Sequence, residues 1–164
     1  ETVAKGDIAI RHEKSGEGLG AVVAFADVQA APDVVLDEVM NLQARTGENG
    51  SITGLEIYDR QTDPERVGAK WTLTVLGSDV VFHLIYECHR DRGYCTYAID
   101  ETKDNDLVAS TGHYVVQPHA GGTRLIYASA TDTGRSVPGF IRRWIAGSSL
   151  RSQVDGIRAR ARAR

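Results

Sequence analysis

The stretch from Gly112 to Ile157 constrains the fold of this chain more than any other. GHYVVQPHAGGTRLIYASA reads as two alternating strands around a tight turn, and a Gly/Ser/Pro break follows at residues 134–138. GFIRRWIAGSSLRSQVDGIRAR then carries the apolar spacing of a long amphipathic helix. Sheet and helix must each bury an apolar face, so a half-buried antiparallel sheet ending in such a helix folds it into its concave side. The space between them is predicted to be a cavity.

Upstream, Ala21 to Ala30 reads as a strand, and Ala31-Pro32-Asp33 opens a helix running to Asn41 with Val35, Leu36, Val39, Met40 and Leu42 as its apolar stripe. Thr46 to Gly50 reads as a turn or a broken second helical turn. From Ser51 onward the period changes to two, with strands predicted at 52–58, 69–77, 80–89, 93–101, 107–118 and 122–131. Their short connections make them antiparallel neighbours. Asp59 to Gly68, polar and irregular, is expected to be a loop at the cavity mouth. Residues 1–19 are expected to form a terminal arm or a short edge strand, and 1–164 a single domain. Gly16, Gly18 and Gly20 do not make a nucleotide loop, because a strand rather than a helix follows them.

Alternation sorts the strands into two faces. Trp71, Phe82, Leu84, Tyr86, Tyr97, Tyr114 and Tyr127 share one face with Cys88, Cys95 and Leu125, while His83, Glu87, His89, Tyr94, Thr96, His113, Gln117 and Arg124 share the other. The terminal helix presents Phe140, Trp144, Gly147, Leu150, Val154 and Ile157 toward the sheet. The expected ligand-binding set is therefore Trp71, Phe82, Leu84, Tyr86, Tyr97, Tyr114, Tyr127, Phe140 and Trp144. Its phenols would supply the few polar contacts of a largely apolar pocket.

Roughly residues 20–160 carry a resemblance. VQAAPDVVLDEVMN is similar to the strand-into-helix signature of the START-like, polyketide cyclase/dehydrase and lipid-transport superfamily. Gly112, Tyr114, Pro118, Gly121, Gly122, Thr123, Tyr127, Pro138 and Phe140 follow its C-terminal progression. The resemblance implies an α+β helix-grip fold of the birch-pollen-allergen type. In that fold a curved antiparallel β-sheet of about seven strands wraps around a long C-terminal α-helix, with two short helices after the first strand. It also implies a hydrophobic cavity between sheet and helix, hence a hydrophobic or aromatic small molecule as partner: a lipid, a quinone or a polyketide-like compound. The superfamily includes carriers, receptors and enzymes, so an aromatase, cyclase or lyase acting on such a ligand is the enzymatic alternative. QARTGENGS stands where the family has a Pro/Trp-rich second helix, which implies a wider entrance on that side.

No nucleophile–histidine–carboxylate set is recognisable, and the five histidines (12, 83, 89, 113, 119) lack metal-ligand spacing. No metal and no cofactor are expected. Were there catalysis, a tyrosine would donate to a carbonyl or enolate with Glu101 or Asp27 as base. Eight of the 19 basic residues but one of the 22 acidic ones lie from Arg135 onward. Those arginines either solvate the helix and complement its dipole or meet an anionic membrane surface, the setting of a peripheral lipid carrier. An acidic body and the absence of interleaved aromatics argue against nucleic acid.

Cys88 and Cys95 flank the turn His89 to Tyr94. A two-residue turn at Asp91-Arg92 would set them opposite each other on the inward face as a hydrogen-bonded pair. They are either buried thiols of a cytoplasmic protein or a disulfide of an exported one. With a first residue that is not Met, the expectation leans to an exported, periplasmic, disulfide-bonded protein.

Overall fold

A computed structural model of the protein describes residues 7–14, 20–134, 137–141 and 149–164. Its frame is one antiparallel sheet of eight strands in the order β1-β2-β8-β7-β6-β5-β4-β3. The strands are β1 (Ala9–Lys14), β2 (Gly20–Val28), β3 (Ile52–Thr62), β4 (Glu65–Val75), β5 (Ser78–His89), β6 (Tyr94–Ile99), β7 (Ala109–His119) and β8 (Gly122–Asp132). Between β2 and β3 lie helix α1 (Pro32–Met40) and a 3-10 helix (Leu42–Gly47). Residues 139–141 are helical, and helix α2 (Ser149–Arg162) ends the chain. Among the described residues no helix is long and apolar enough to cross a membrane.

The eighth strand comes from the stretch expected to be an arm or a short edge strand: Ala9 to Lys14 pair with β2 at the sheet edge, the second of those alternatives. A correction concerns Asp59 to Gly68. It is the tip of the β3–β4 hairpin rather than a loop, paired as far as Thr62 with Glu65. Arg60, Gln61 and Thr62 are exposed there, so this end of the hairpin carries no apolar alternation to read.

β2 and β8 pair although five strands and α1 lie between them in sequence, and the Gly121-Gly122-Thr123 run fixes how they join. Ala120 and Gly121 both have positive φ, 49° and 79°, which is the backbone of a tight primed hairpin turn. A side chain at Gly122 would collide with the Val28 carbonyl. Next to it the buried Thr123 hydroxyl donates to Ala30 O at 2.7 Å. That bond holds the segment entering α1, where Ala31 is extended and Pro32 occupies the first turn.

α1 buries Val35, Leu36 and Val39 completely and packs on α2 and the β7–β8 pair. α2 contributes Leu150, Val154, Ile157 and Ala161 to the same core, an i, i+4, i+7, i+11 stripe. A smaller cluster of Leu73, Val80, Leu107, Val137 and Ile141 lies at the other end, and Phe82 packs against both.

α2 is also held by charge. Arg160 pairs with Glu38 at 2.7 Å and with Glu48, while Arg164 reaches Glu38 at 2.9 Å and Asp37 at 2.8 Å. Glu38 is only 2% exposed, so the last turn of α2 neutralises a carboxylate the core has desolvated. Two of the clustered C-terminal arginines thus serve the fold. Arg135, Arg142 and Arg143 lie outside the described residues.

Candidate functional site

The register of four adjacent strands builds one aromatic layer. Tyr86 on β5 stands opposite Tyr97 on β6, and Tyr114 on β7 opposite Tyr127 on β8. Tyr97 is paired with Gly112, whose missing side chain leaves the place its ring occupies. All four tyrosines are at most 7% exposed. Tyr114 and Tyr127 stack with ring centres 4.2 Å apart and planes 10° apart.

Each phenol has a partner, as buried hydroxyls require. Tyr97 Oη lies 3.0 Å from Tyr127 Oη and 2.7 Å from Ser129 Oγ. Tyr86 Oη accepts from Trp71 Nε1 at 3.1 Å, and Tyr114 Oη donates to Gln153 Oε1 of α2 at 3.0 Å. The last bond ties the aromatic layer to the helix that faces it.

Burial holds the phenols of Tyr86, Tyr97 and Tyr127 neutral. Desolvation raises Tyr86 and Tyr127 well above the ordinary tyrosine range, and pushes Tyr97 up to about 12 although Ser129 and Tyr127 pull it back. They can donate and accept hydrogen bonds at neutral pH but cannot act as phenolate bases.

One member of this layer escaped the sequence reading. Arg45, on the 3-10 helix, is 3% exposed, with its guanidinium carbon 5.6 Å from the ring centres of both Tyr86 and Tyr114. Its Nη2 donates to Val39 O, and its buried Nε has no hydrogen-bond partner. Burial opposes the charge most, and the tyrosine rings around the guanidinium favour it. A 3-10 helix has three residues per turn, so Leu42, Arg45 and Glu48 share a face. Read with that period, Arg45 falls in register with Leu42 and turns inward.

The other expected site residues divide. Trp71 and Leu84 are buried with the tyrosines, and Phe82 is partly buried beside them. Phe140 is 38% exposed while Ile141 is fully buried, so the helical turn after Pro138 directs the neighbouring residue inward. Trp144 and Gly147 lie outside the described residues. The two acids considered as bases are elsewhere. Asp27 lies on the opposite face of β2 from buried Ala26 and Val28, where Arg124 donates to it at 2.8 Å and holds its carboxyl below the usual range. Glu101 is exposed in the turn after β6.

His83, His113 and His119 sit on the outer face or at a strand end, and His89 packs on Tyr94 with ring centres 4.8 Å apart and planes tilted by 32°. Among the described residues no group of three or more His, Cys, Asp or Glu is arranged to hold a metal ion. A separate open depression of about 430 Å3 lies over β5 and β6, with outward Ile85, Glu87, Thr96 and Ala98 in its lining.

Cys88 and Cys95 face each other across β5 and β6 with Cα atoms 4.0 Å apart, and their sulfurs are joined. That spacing is nearer a non-hydrogen-bonded pair than the wider pair expected. The turn explains it. Residues 90–93 form a four-residue connection closed by Gly93 in the left-handed region, instead of a two-residue turn.

Solved structures share this architecture. A START superfamily protein from Mycobacterium smegmatis superposes with a TM-score of 0.68 at 17% identity, over 87% of this chain and 97% of that one. The chain has the START-like helix-grip fold. The ZhuI aromatase/cyclase from Streptomyces sp. R1128 matches at 0.68 and 13% identity, over 95% of this chain and 96% of that one. The lipid transfer and protein localization domain of human StarD13 matches at 0.63 and 18%, over 93% and 83%. No protein-family model matches the sequence, and a search of curated proteins finds no match.

Proposed function

We propose that the chain is a single ligand-binding domain that holds a hydrophobic or aromatic small molecule between the sheet and α2. The carrying observation is the convergence of Tyr86, Tyr97, Tyr114 and Tyr127, from four successive strands, into one buried layer in which every hydroxyl has a partner: Tyr97 and Tyr127 bond each other, Tyr86 accepts from Trp71 and Tyr114 donates to Gln153. Such a layer offers flat apolar area with a small number of fixed donors, as small-molecule sites do. Trp71, Phe82 and Leu84 extend it toward β4 and β5. Fold relatives described as a lipid transfer domain and as an aromatase/cyclase agree with an apolar ligand without choosing between carriage and catalysis.

Carriage or reception is favoured over turnover. The phenols of Tyr86, Tyr97 and Tyr127 stay protonated, and the two acids weighed as bases, Asp27 and Glu101, belong to the outer face and an exposed turn. The test is native mass spectrometry of the purified protein, followed by organic extraction and identification of what leaves with it. A bound apolar compound released unchanged supports the reading. Consistently ligand-free protein that also ignores lipids, quinones and polycyclic aromatics would overturn it, and conversion of a bound compound would turn it into an enzyme.

A further inference from the structure

Arg45 is a cation without a counter-ion. Its side chain is buried, and among the described residues no carboxylate pairs with it; its one hydrogen bond runs to the Val39 carbonyl. The carboxylate one 3-10 turn ahead, Glu48, is taken by Arg160 of α2. The other buried acid nearby, Glu38, is shared by Arg160, Arg164 and Asn41. The fold has thus brought arginines from α2 to neutralise the acids of α1 and the 3-10 helix, and has left the guanidinium among the tyrosines uncompensated.

The rings of Tyr86 and Tyr114 do not complete its environment. They offer π-density to the guanidinium carbon at 5.6 Å, whereas the N–H groups lie in the guanidinium plane and require acceptors. The Nε proton has none. A water molecule would satisfy that donor but not the charge, and an uncompensated buried cation is strongly destabilising. An anionic oxygen satisfies both. The Tyr86 hydroxyl, which accepts from Trp71 Nε1, still has its own proton to donate to such a group.

We infer that Arg45 is the anion subsite of the interior. The ligand is then an organic anion, with an apolar or aromatic body that lies along the tyrosine layer and a carboxylate-type oxygen group that meets the guanidinium. This rests on reading the interior as a ligand site, and the test separates the two. The probes are 1-anilinonaphthalene-8-sulfonate and N-phenyl-1-naphthylamine, which share a ring system and differ in the sulfonate.

Fluorescence titration of the wild-type protein should give tighter binding of the anionic dye. Arg45→Met should weaken that dye by roughly tenfold or more, the scale of a charge-assisted hydrogen bond, and change the neutral dye by less than about twofold. Arg45→Lys, which keeps the charge, should retain the preference, and a thermal melt of each variant verifies folding. Should Arg45→Met fail to fold, the wild-type pair still decides: equal affinity for the two dyes overturns the inference. So does an Arg45→Met protein with an unchanged ratio. If neither dye binds the wild type, the ligand-site reading fails and the anion subsite with it.

Discussion

Gly112→Ala is a small change whose effect should be large, because two principles give it opposite signs. Glycine in a strand interior is weaker than alanine by roughly 0.5–1 kcal/mol, so propensity alone predicts stabilisation. The structure predicts the reverse. A methyl group at Gly112 would fall inside the Tyr97 ring, against its edge carbons and its hydroxyl. Tyr97 would have to leave, and its hydroxyl would lose Tyr127 at 3.0 Å and Ser129 at 2.7 Å. Overpacking costs about 1–3 kcal/mol, and the lost hydrogen bonds add about 1 kcal/mol, giving a destabilisation of roughly 2–4 kcal/mol. For a domain of this size that corresponds to a fall in Tm of roughly 4–16 °C.

Urea denaturation followed by circular dichroism measures the cost, and a double-mutant cycle assigns its cause. In a Tyr97→Ala background the ring is gone, so Gly112→Ala should become neutral or mildly stabilising, a coupling of at least about 1 kcal/mol. A neutral Gly112→Ala in the wild type would refute the packing described for Tyr97. An equal loss in both backgrounds would place the strain elsewhere.

Further outcomes follow from the same contacts. Removing Arg160 leaves buried Glu38 with Arg164 and Asn41, so Arg160→Ala should destabilise by about 2–3 kcal/mol in chemical denaturation, less than the full loss of a buried pair. Thiol titration of denatured, unreduced protein should find no free thiol, and two reactive thiols would rule out the Cys88–Cys95 bond. Alkaline titration followed by phenolate absorbance should show Tyr97 ionising near 12, driven first by desolvation. Because that value lies above the unfolded one of about 10, the stability contributed by neutral Tyr97 is complete below about pH 10 and declines as pH rises through about 12. Ionisation of Tyr97 near pH 10 in still-folded protein would mean its ring is solvated.

Most of the architecture could be read from the chain because each signal was local and repeated. Alternation over 80–89 and 122–131 gave β5 and β8 nearly complete, and the Ala-Pro-Asp run marked the start of α1 within a residue. The same alternation put Tyr86, Tyr97, Tyr114 and Tyr127 on one face before their strand order was known. Signals failed where burial is one-sided or the period unusual. The tip of β3 and β4 is solvated on both faces and shows no alternation. Leu42 closes the apolar stripe of the helix and Thr46 opens the expected turn, so Arg45 falls between the two with no period assigned to it, while the 3-10 helix sets it on the face of Leu42.

That last failure concerns the residue with the most chemistry. A charged side chain turns inward only when the rest of the fold makes its position tolerable, and here the conditions are non-local. Tyr86 and Tyr114 arrive from β5 and β7, the Val39 carbonyl from the end of α1, and Glu48 is withdrawn by an arginine more than a hundred residues away. None of these relations has a sequence period. An arginine in a polar run such as QARTGENGS reads as solvent-facing until the three-dimensional structure assembles its surroundings. Alternation therefore exposes the apolar wall of the proposed site, whereas the charged group that we infer to meet the ligand depends on long-range pairings.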